Sequence, residues 1–376
     1  MKRKTLLDAL DALDWAVAAK PIVEEMGCYR ICGKTLRTTD GALLVQAELA
    51  ETTGLDCTVP AAGLKALLKD LGDDDVVLKI DGNKLAVATD RVRGRFALAT
   101  GPGVLDDLSF DADEWRPVTP ALKEAVRRCR FAASGDSAAG AYTGVLVGED
   151  YVIATDKVRI AWFKVKAGKA RRKTAGGDRP KATPLSAEPV VLPAELAAVM
   201  DRHADAVEEW AVAGGTVYLR GGGVTWGAQL LQGKFTEKAV WYVGESDKMG
   251  ERLELPADTD AIVRRHLDQQ SEVMDMDREV ELEVDGTKMT VRSTDGVRYE
   301  LEETVALPTE AGRFVFAIHP QCLLDTLSMT RIMRYDPSTV EGEKGEACPV
   351  FPFVAFVHDG DQGEFRYLAT VEVKNG

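Results

Sequence analysis

Short apolar runs along the chain end in proline and are followed by amphipathic stretches. Cys57-Thr58-Val59-Pro60, Pro117-Val118-Thr119-Pro120, Val190-Val191-Leu192-Pro193, Leu253-Glu254-Leu255-Pro256 and Phe316-Ala317-Ile318-His319-Pro320 are strand-like. Their final prolines lie 60, 73, 63 and 64 residues apart. About ten residues with apolar positions at helical spacing follow each one. Proline suits a first helical position, where its missing N–H removes a donor the helix leaves unpaired anyway. Each run therefore predicts strand, then helix. After each helix come two or three alternating strands with tight polar turns, clearest at Val77–Ala88 and Glu281–Val291, where Asp-Gly separates two runs of period two. A further turn recurs at Asp40, Asp90, Asp156, Gly222, Asp295 and Asp359, with spacings of 50, 66, 66, 73 and 64.

The repeating unit is strand–helix–strand–strand–strand, six times, in 376 residues. One unit has too little sheet to close a core by itself. Paired units predict an α+β protein of three tandem domains, 1–113, 114–250 and 251–376. The first boundary falls in the acidic stretch 106–114 and the second in 244–250, which has the composition of a linker.

Charge and composition narrow the reading. The net charge of −14 argues against a protein that coats nucleic acid with its whole surface, and leaves room for a local basic face. One segment breaks the pattern: 164–181 holds eight Lys or Arg and one acid, Asp178. It reads as a solvated connection, with a mobile arm that touches phosphate as the sharper alternative. Six cysteines are too few for a disulfide scaffold and read as reduced thiols in a cytoplasmic protein. No apolar run is long enough to span a membrane, and Asp8, Asp11 and Asp14 interrupt any signal-like start after Lys2, Arg3 and Lys4. Catalytic chemistry is not evident. There is no phosphate-cradling Gly-x-x-x-x-Gly-Lys-Ser/Thr and no Gly-x-Ser-x-Gly, and the four histidines stand apart. Cys28 and Cys32 would share one face of a strand and read as core packing. No enzyme activity, metal or cofactor is expected.

Several stretches carry a family resemblance. Phe131-Ala132-Ala133-Ser134, Thr143-Gly144-Val145-Leu146 and Ala154-Thr155-Asp156-Lys157-Val158-Arg159-Ile160-Ala161 resemble the middle domain of bacterial-type DNA polymerase III beta sliding clamps. Gly233-Lys234-Phe235 and Leu323-Leu324-Asp325-Thr326-Leu327 are similar to further stretches of that family, and so is the Leu6-Leu7 helix closed by Lys20-Pro21. The resemblance lies in the order and spacing of many short matches over nearly the whole chain. It implies three clamp domains per chain and a head-to-tail homodimeric ring around double-stranded DNA, with helices inside and sheets outside. It further implies a processivity factor that tethers a DNA polymerase and is loaded by a separate ATPase.

A sliding ring needs an inner face attracted to phosphate without commitment to base sequence, which Lys and Arg supply. The helix after Pro120 sets Leu122, Ala125, Val126 and Cys129 on one face and Lys123, Arg127 and Arg130 on the other. The helix after Pro60 is expected to bury Leu64, Leu67, Leu68 and Leu71 and to expose Lys65 and Lys69. The helix after Pro256 is expected to expose Arg264 and Arg265. Lys20 matches a family position that approaches DNA. Asp8, Asp11 and Asp14 on the first helix, and Glu195, Asp201 and Asp205 on the fourth, run against this pattern. They favour an alternative, a diverged interaction protein of the clamp fold that does not encircle DNA.

The resemblance also implies a groove for a partner's short peptide. Thr155, Arg159 and Ile160 match family groove positions, and Tyr142 stands at an apolar pocket position. Val243, Leu368, Thr370 and Val371 fall on further groove positions. Lys157-Val158 and Thr370-Val371-Glu372 depart from the family's usual residues, which implies a different peptide preference.

Overall fold

Seven α-helices occur among the described residues of a computed structural model: α1 (Arg3–Leu13), α2 (Ala61–Asp70), α3 (Pro120–Cys129), α4 (Ala194–Arg202), α5 (Glu237–Glu245), α6 (Thr259–Gln269) and α7 (Pro320–Leu327). Five of these short helices, α2, α3, α4, α6 and α7, follow strands of the kind the proline pattern marks. The structure describes residues 1–376 except 73–74, 102, 167–184, 187, 232, 275–276, 337, 342–346, 350–351 and 374–376. Most of the basic segment 164–181 therefore lies outside the described residues. Pro120 and Pro320 open their helices as expected, while Pro60 and Pro193 stand one position earlier, as N-caps. Pro256 is detached from α6, and its carbonyl instead accepts the Thr259 hydroxyl at 2.8 Å. No described helix is long and apolar enough to cross a membrane.

The chain groups into two compact units. The first is Met1–Lys123 with Leu192–Leu231. Its main sheet has eight antiparallel strands in the order Asp56–Pro60, Cys28–Cys32, Thr35–Thr39, Leu43–Glu48, Val224–Gln229, Thr216–Gly221, Glu209–Ala213 and Arg116–Pro117. The join at its centre is a five-pair ladder from Val224↔Ala47 to Ala228↔Leu43. Sequence-distant repeats thus become one sheet. A second, three-stranded sheet runs Val77–Asp81, Lys84–Ala88, Arg93–Ala97 and ends on Arg93–Ala97. Helix α1 buries Leu6, Leu10 and Leu13, and α2 buries Leu64 and Leu68. At roughly 1.5–3 kcal/mol for each fully buried leucine, this packing holds both helices.

The second unit is Glu124–Val191 with Gln232–Gly376. Its main sheet is again eight-stranded: Val190–Pro193, Gly144–Val147, Tyr151–Thr155, Arg159–Val165, Gly363–Thr370, Phe353–Asp359, Ile332–Tyr335 and Glu251–Glu254. Here the joining ladder has seven pairs, Arg159↔Ala369 to Val165↔Gly363. Extended chain also runs through Val280–Thr294 and Glu300–Ile318. Its pairing is irregular on both sides of Gly286, which sits at φ +58°. The chain doubles back there, because the Arg292 guanidinium reaches Glu283 at 2.7 Å and Glu281 at 3.3 Å. In a straight strand residues nine positions apart would lie about 30 Å from each other. The Asp285-Gly286 turn expected from sequence is therefore present inside this run.

Three expectations need correction. The stretch 244–250 is packed rather than a free linker. It carries the end of α5 and a 3-10 turn over Ser246–Lys248, and Ser246 and Met249 are buried. The buried Arg366 guanidinium fixes it by donating to the Val243 carbonyl and the Ser246 hydroxyl, each at 3.1 Å. Cys28 is buried but Cys32 is exposed, since it ends its strand where the core stops. Lys65 is not an exposed cation: the residue is 8% exposed, and its ammonium pairs with Asp11 at 2.5 Å and with Asp14. Its aliphatic stem packs while its head neutralises two carboxylates of the first helical segment. Replacing it leaves those acids facing each other. Lys65→Ala is expected to lower unfolding stability by about 1–2 kcal/mol, the two acids being half exposed. The midpoint of urea unfolding checks this, and an unchanged midpoint would show the pairs to be idle.

Candidate functional site

Strands Tyr151–Thr155 and Arg159–Val165 are joined by the turn Asp156-Lys157-Val158. The Asp156 carboxylate accepts the backbone N–H groups of Val158 and Arg159, both at 2.9 Å. The Thr155 hydroxyl accepts the Lys157 N–H at 3.0 Å and donates to the Arg159 carbonyl at 2.6 Å. These bonds hold Lys157 at φ +80°, the one non-glycine residue in the left-handed region among the described residues. From there its ammonium sits 5.1 Å from the centre of the Tyr142 ring. Arg159 is held by two carboxylates. Its Nε donates to Asp156 at 2.9 Å and its Nη1 to Asp325. Burial raises the Asp325 pKa against the pull of Gln321 and Arg159. The Arg159 guanidinium also lies 5.9 Å from the Phe131 ring, which stacks on Tyr367. One arginine thus gathers three of the motifs that carry the family resemblance.

Beside this turn is an apolar groove of about 290 Å³. Of the expected groove residues, Tyr142, Thr155, Ile160, Leu368 and Thr370 line it. Val243 lies beneath, 3% exposed, in a core with Ile153, Trp162, Met249 and Leu368. Arg159 and Val371 instead line a neighbouring, more polar cavity of about 570 Å³, which shares Val158 and Thr370 with the groove. Apart from Val243, sequence reasoning missed what α5 contributes. Tyr242 forms a wall and meets Phe353 edge-to-face at 5.6 Å, while Phe235 packs against Tyr142 at 5.5 Å. The apolar positions Phe235, Ala239, Tyr242 and Val243 have helical spacing and could have revealed this helix. Thr236, Lys238 and Pro352 complete the lining together with Lys157 and Val158. Aromatic walls, three threonine hydroxyls and an open mouth suit an extended peptide with apolar anchors.

The cations expected to face DNA divide into two sets. Lys20, Lys69, Arg127 and Arg264 are exposed, though Arg127 is tied to Glu124 at 2.8 Å. Lys65 is buried as described. Lys123 donates to the Ala204 carbonyl and Arg265 pairs with Glu303. Arg130 is half-buried. The apolar face of α3 is as expected, with Leu122, Ala125, Val126 and Cys129 buried. Among the described residues no group of three or more His, Cys, Asp or Glu is placed to hold a metal ion.

Comparison with solved structures settles the architecture. A DNA polymerase sliding clamp from Caulobacter crescentus is 18% identical, with 99% of this chain and 98% of that one covered at a TM-score of 0.78. The DNA polymerase III beta subunit of Thermotoga maritima is 16% identical, with coverage of 100% and 99% at 0.76. That of Pseudomonas aeruginosa is 17% identical, with coverage of 99% and 98% at 0.74. The chain has the sliding-clamp fold. No family model and no curated protein sequence matches it, so the clamp fold is carried here by a far diverged sequence.

In this clamp-fold chain, Lys157 stands where the resemblance expects glycine. A side chain at positive φ is strained by about 1–2 kcal/mol. Lys157→Gly is therefore expected to be more stable than Lys157→Ala by about 1 kcal/mol, both having lost the ammonium. Denaturant unfolding of the two variants checks this, and the reverse order would place the strain elsewhere.

Proposed function

We propose that this chain is a DNA sliding clamp, a non-enzymatic processivity factor. Two copies close head to tail around duplex DNA and tether a DNA polymerase through the apolar groove. The observation that carries this reading is the coincidence of a full-length clamp fold with a groove assembled from the motifs of the resemblance. A closed ring stays on DNA by topology and raises the polymerase's effective concentration at the primer end without binding DNA tightly. In this reading the chain has three tandem domains, 1–113, 114–250 and 251–376. It works in the cytoplasm, needs no cofactor of its own, and is placed on DNA by a clamp-loader ATPase.

Two sheet edges support ring closure. Strand Arg93–Ala97 pairs on one side only among the described residues, and it exposes Arg93 and Arg95. The stretch 300–306, which pairs with 288–294, exposes Glu300 and Glu302. A bare strand edge invites sheet extension by another chain, and opposite charge favours this partner. The chain is expected to sediment at about twice its mass. Arg93→Glu should give monomers, and Arg93→Glu mixed with Glu300→Arg should restore the dimer. A wild-type monomer at high concentration would remove the ring.

Lys20, Lys69, Arg127, Arg130 and Arg264 are the proposed phosphate-facing set. Lys65, Lys123 and Arg265 are held by partners within the chain, and this loss of basic groups favours a second reading as a clamp-fold interaction protein that does not encircle DNA. Retention on closed circular against linear DNA at raised salt separates the two: a ring stays on circles, and equal loss from both identifies the second reading. The groove is tested separately. Ile160→Ala with Tyr242→Ala should weaken capture of the polymerase about tenfold or more while the dimer persists, because two apolar walls are removed. Unchanged capture would move the partner site away from this groove.

A further inference from the structure

We propose that Arg366 is a positioning residue of the groove: its guanidinium fixes the helix wall that carries Tyr242, without touching the occupant. The inference rests on the reading of the groove as the partner site and adds how that site is held in shape. Side chains alternate along a strand, so Gly363–Thr370 turns Glu364, Arg366, Leu368 and Thr370 to one face. Leu368 and Thr370 line the groove, and Arg366 does not. Arg366 stands opposite Trp162 across the junction of the half-sheets, and its guanidinium lies 5.5 Å from the centre of that ring. Trp162 belongs to the core beneath the groove, together with Val243 and Leu368.

A helix leaves its last carbonyls without partners of its own. At the end of α5 the Arg366 guanidinium supplies a donor to the Val243 carbonyl and another to the Ser246 hydroxyl. It also pairs with Asp247 at 2.9 Å, and Glu364 on its own strand holds its Nε. Arg334 adds a longer link to Asp247 at 3.4 Å. The cation faces the negative end of the helix dipole. Arg366 is 9% exposed. A buried guanidinium is costly unless its partners are in place, so the group tolerates little displacement of α5. Val243 follows Tyr242 directly, so the clasp acts on the backbone that carries the groove wall. The other end of the helix supplies Thr236, Lys238 and Ala239 to the lining. One strand face thus provides two groove residues and, two positions earlier, the tie that sets the opposing wall.

The test uses the full-length chain and a fluorescein-labelled Ser-Leu-Ser-Leu-Phe peptide, followed by anisotropy. Arg366→Met keeps the apolar stem and removes the donors. It is expected to weaken binding about fivefold while the mass in solution stays that of the wild type. Arg366→Lys, which keeps the charge and part of the hydrogen bonding, should recover part of the loss. Tyr242→Ala should weaken binding too, and adding Arg366→Met to it should lower the affinity no further, because the arginine acts through that wall. Amide exchange over 239–246 should speed up in Arg366→Met before any peptide is added. Asp247→Ala loosens the same clasp from an exposed residue and is expected to weaken binding about twofold, which keeps the inference testable if Arg366→Met does not fold. Unchanged affinity in Arg366→Met and Asp247→Ala, or a loss that adds in full to that of Tyr242→Ala, overturns this inference and leaves the groove in place. No binding by the wild type, or binding indifferent to Tyr242→Ala, overturns the groove reading and this inference with it.

Discussion

Backbone pairing between distant repeats is the constraint on which the molecule rests. A single helix with three or four strands cannot exclude water from both faces of its sheet. The chain solves this by fusing half-sheets end to end: Leu43–Glu48 onto Val224–Gln229 in one unit, and Arg159–Val165 onto Gly363–Thr370 in the other. The second junction also fixes the groove. It brings Ile160 opposite Leu368, so one wall comes from each half-sheet.

The repeat itself was legible in the sequence. Proline at helix starts and period-two runs with polar turns are local signals, and five of the helices do follow a strand of that pattern. The Asp285-Gly286 turn was equally readable, because a two-residue turn with positive φ at glycine is encoded by those two residues alone. The buried stripe of α3 followed from spacing. What escaped was set by tertiary contact. Lys65 looked solvent-facing on its own helix, and only the approach of Asp11 and Asp14 makes it a buried counter-ion. Helix α5 stands outside the repeat, so no recurring signal marks it beyond Val243, and its closing residues have a linker's composition because they are polar and contain glycine. The groove was half legible. The resemblance located Tyr142, Thr155, Ile160, Leu368 and Thr370, whereas Tyr242, Phe353 and Lys238 reach it through packing that spacing does not encode.

Charge placement tells a related story. Many carboxylates here are held by cations of their own unit, as with Glu124 under Arg127 and Arg128, Glu303 under Arg265, and Asp325 beside Arg159. A tally of acidic and basic residues therefore says little about what any surface presents. The informative cations are the ones the fold leaves without a carboxylate.

The strand Gly363–Thr370 lies between Arg159–Val165 and Phe353–Asp359, and it contributes Leu368 and Thr370 to the groove. During translation these residues leave the ribosome after both strands they pair with. Until they emerge, the second unit's main sheet is missing an interior member. A product cut short before residue 363 by a frameshift or premature stop would hold two sheet fragments with nothing between them, and so would have no complete groove with which to compete for partners.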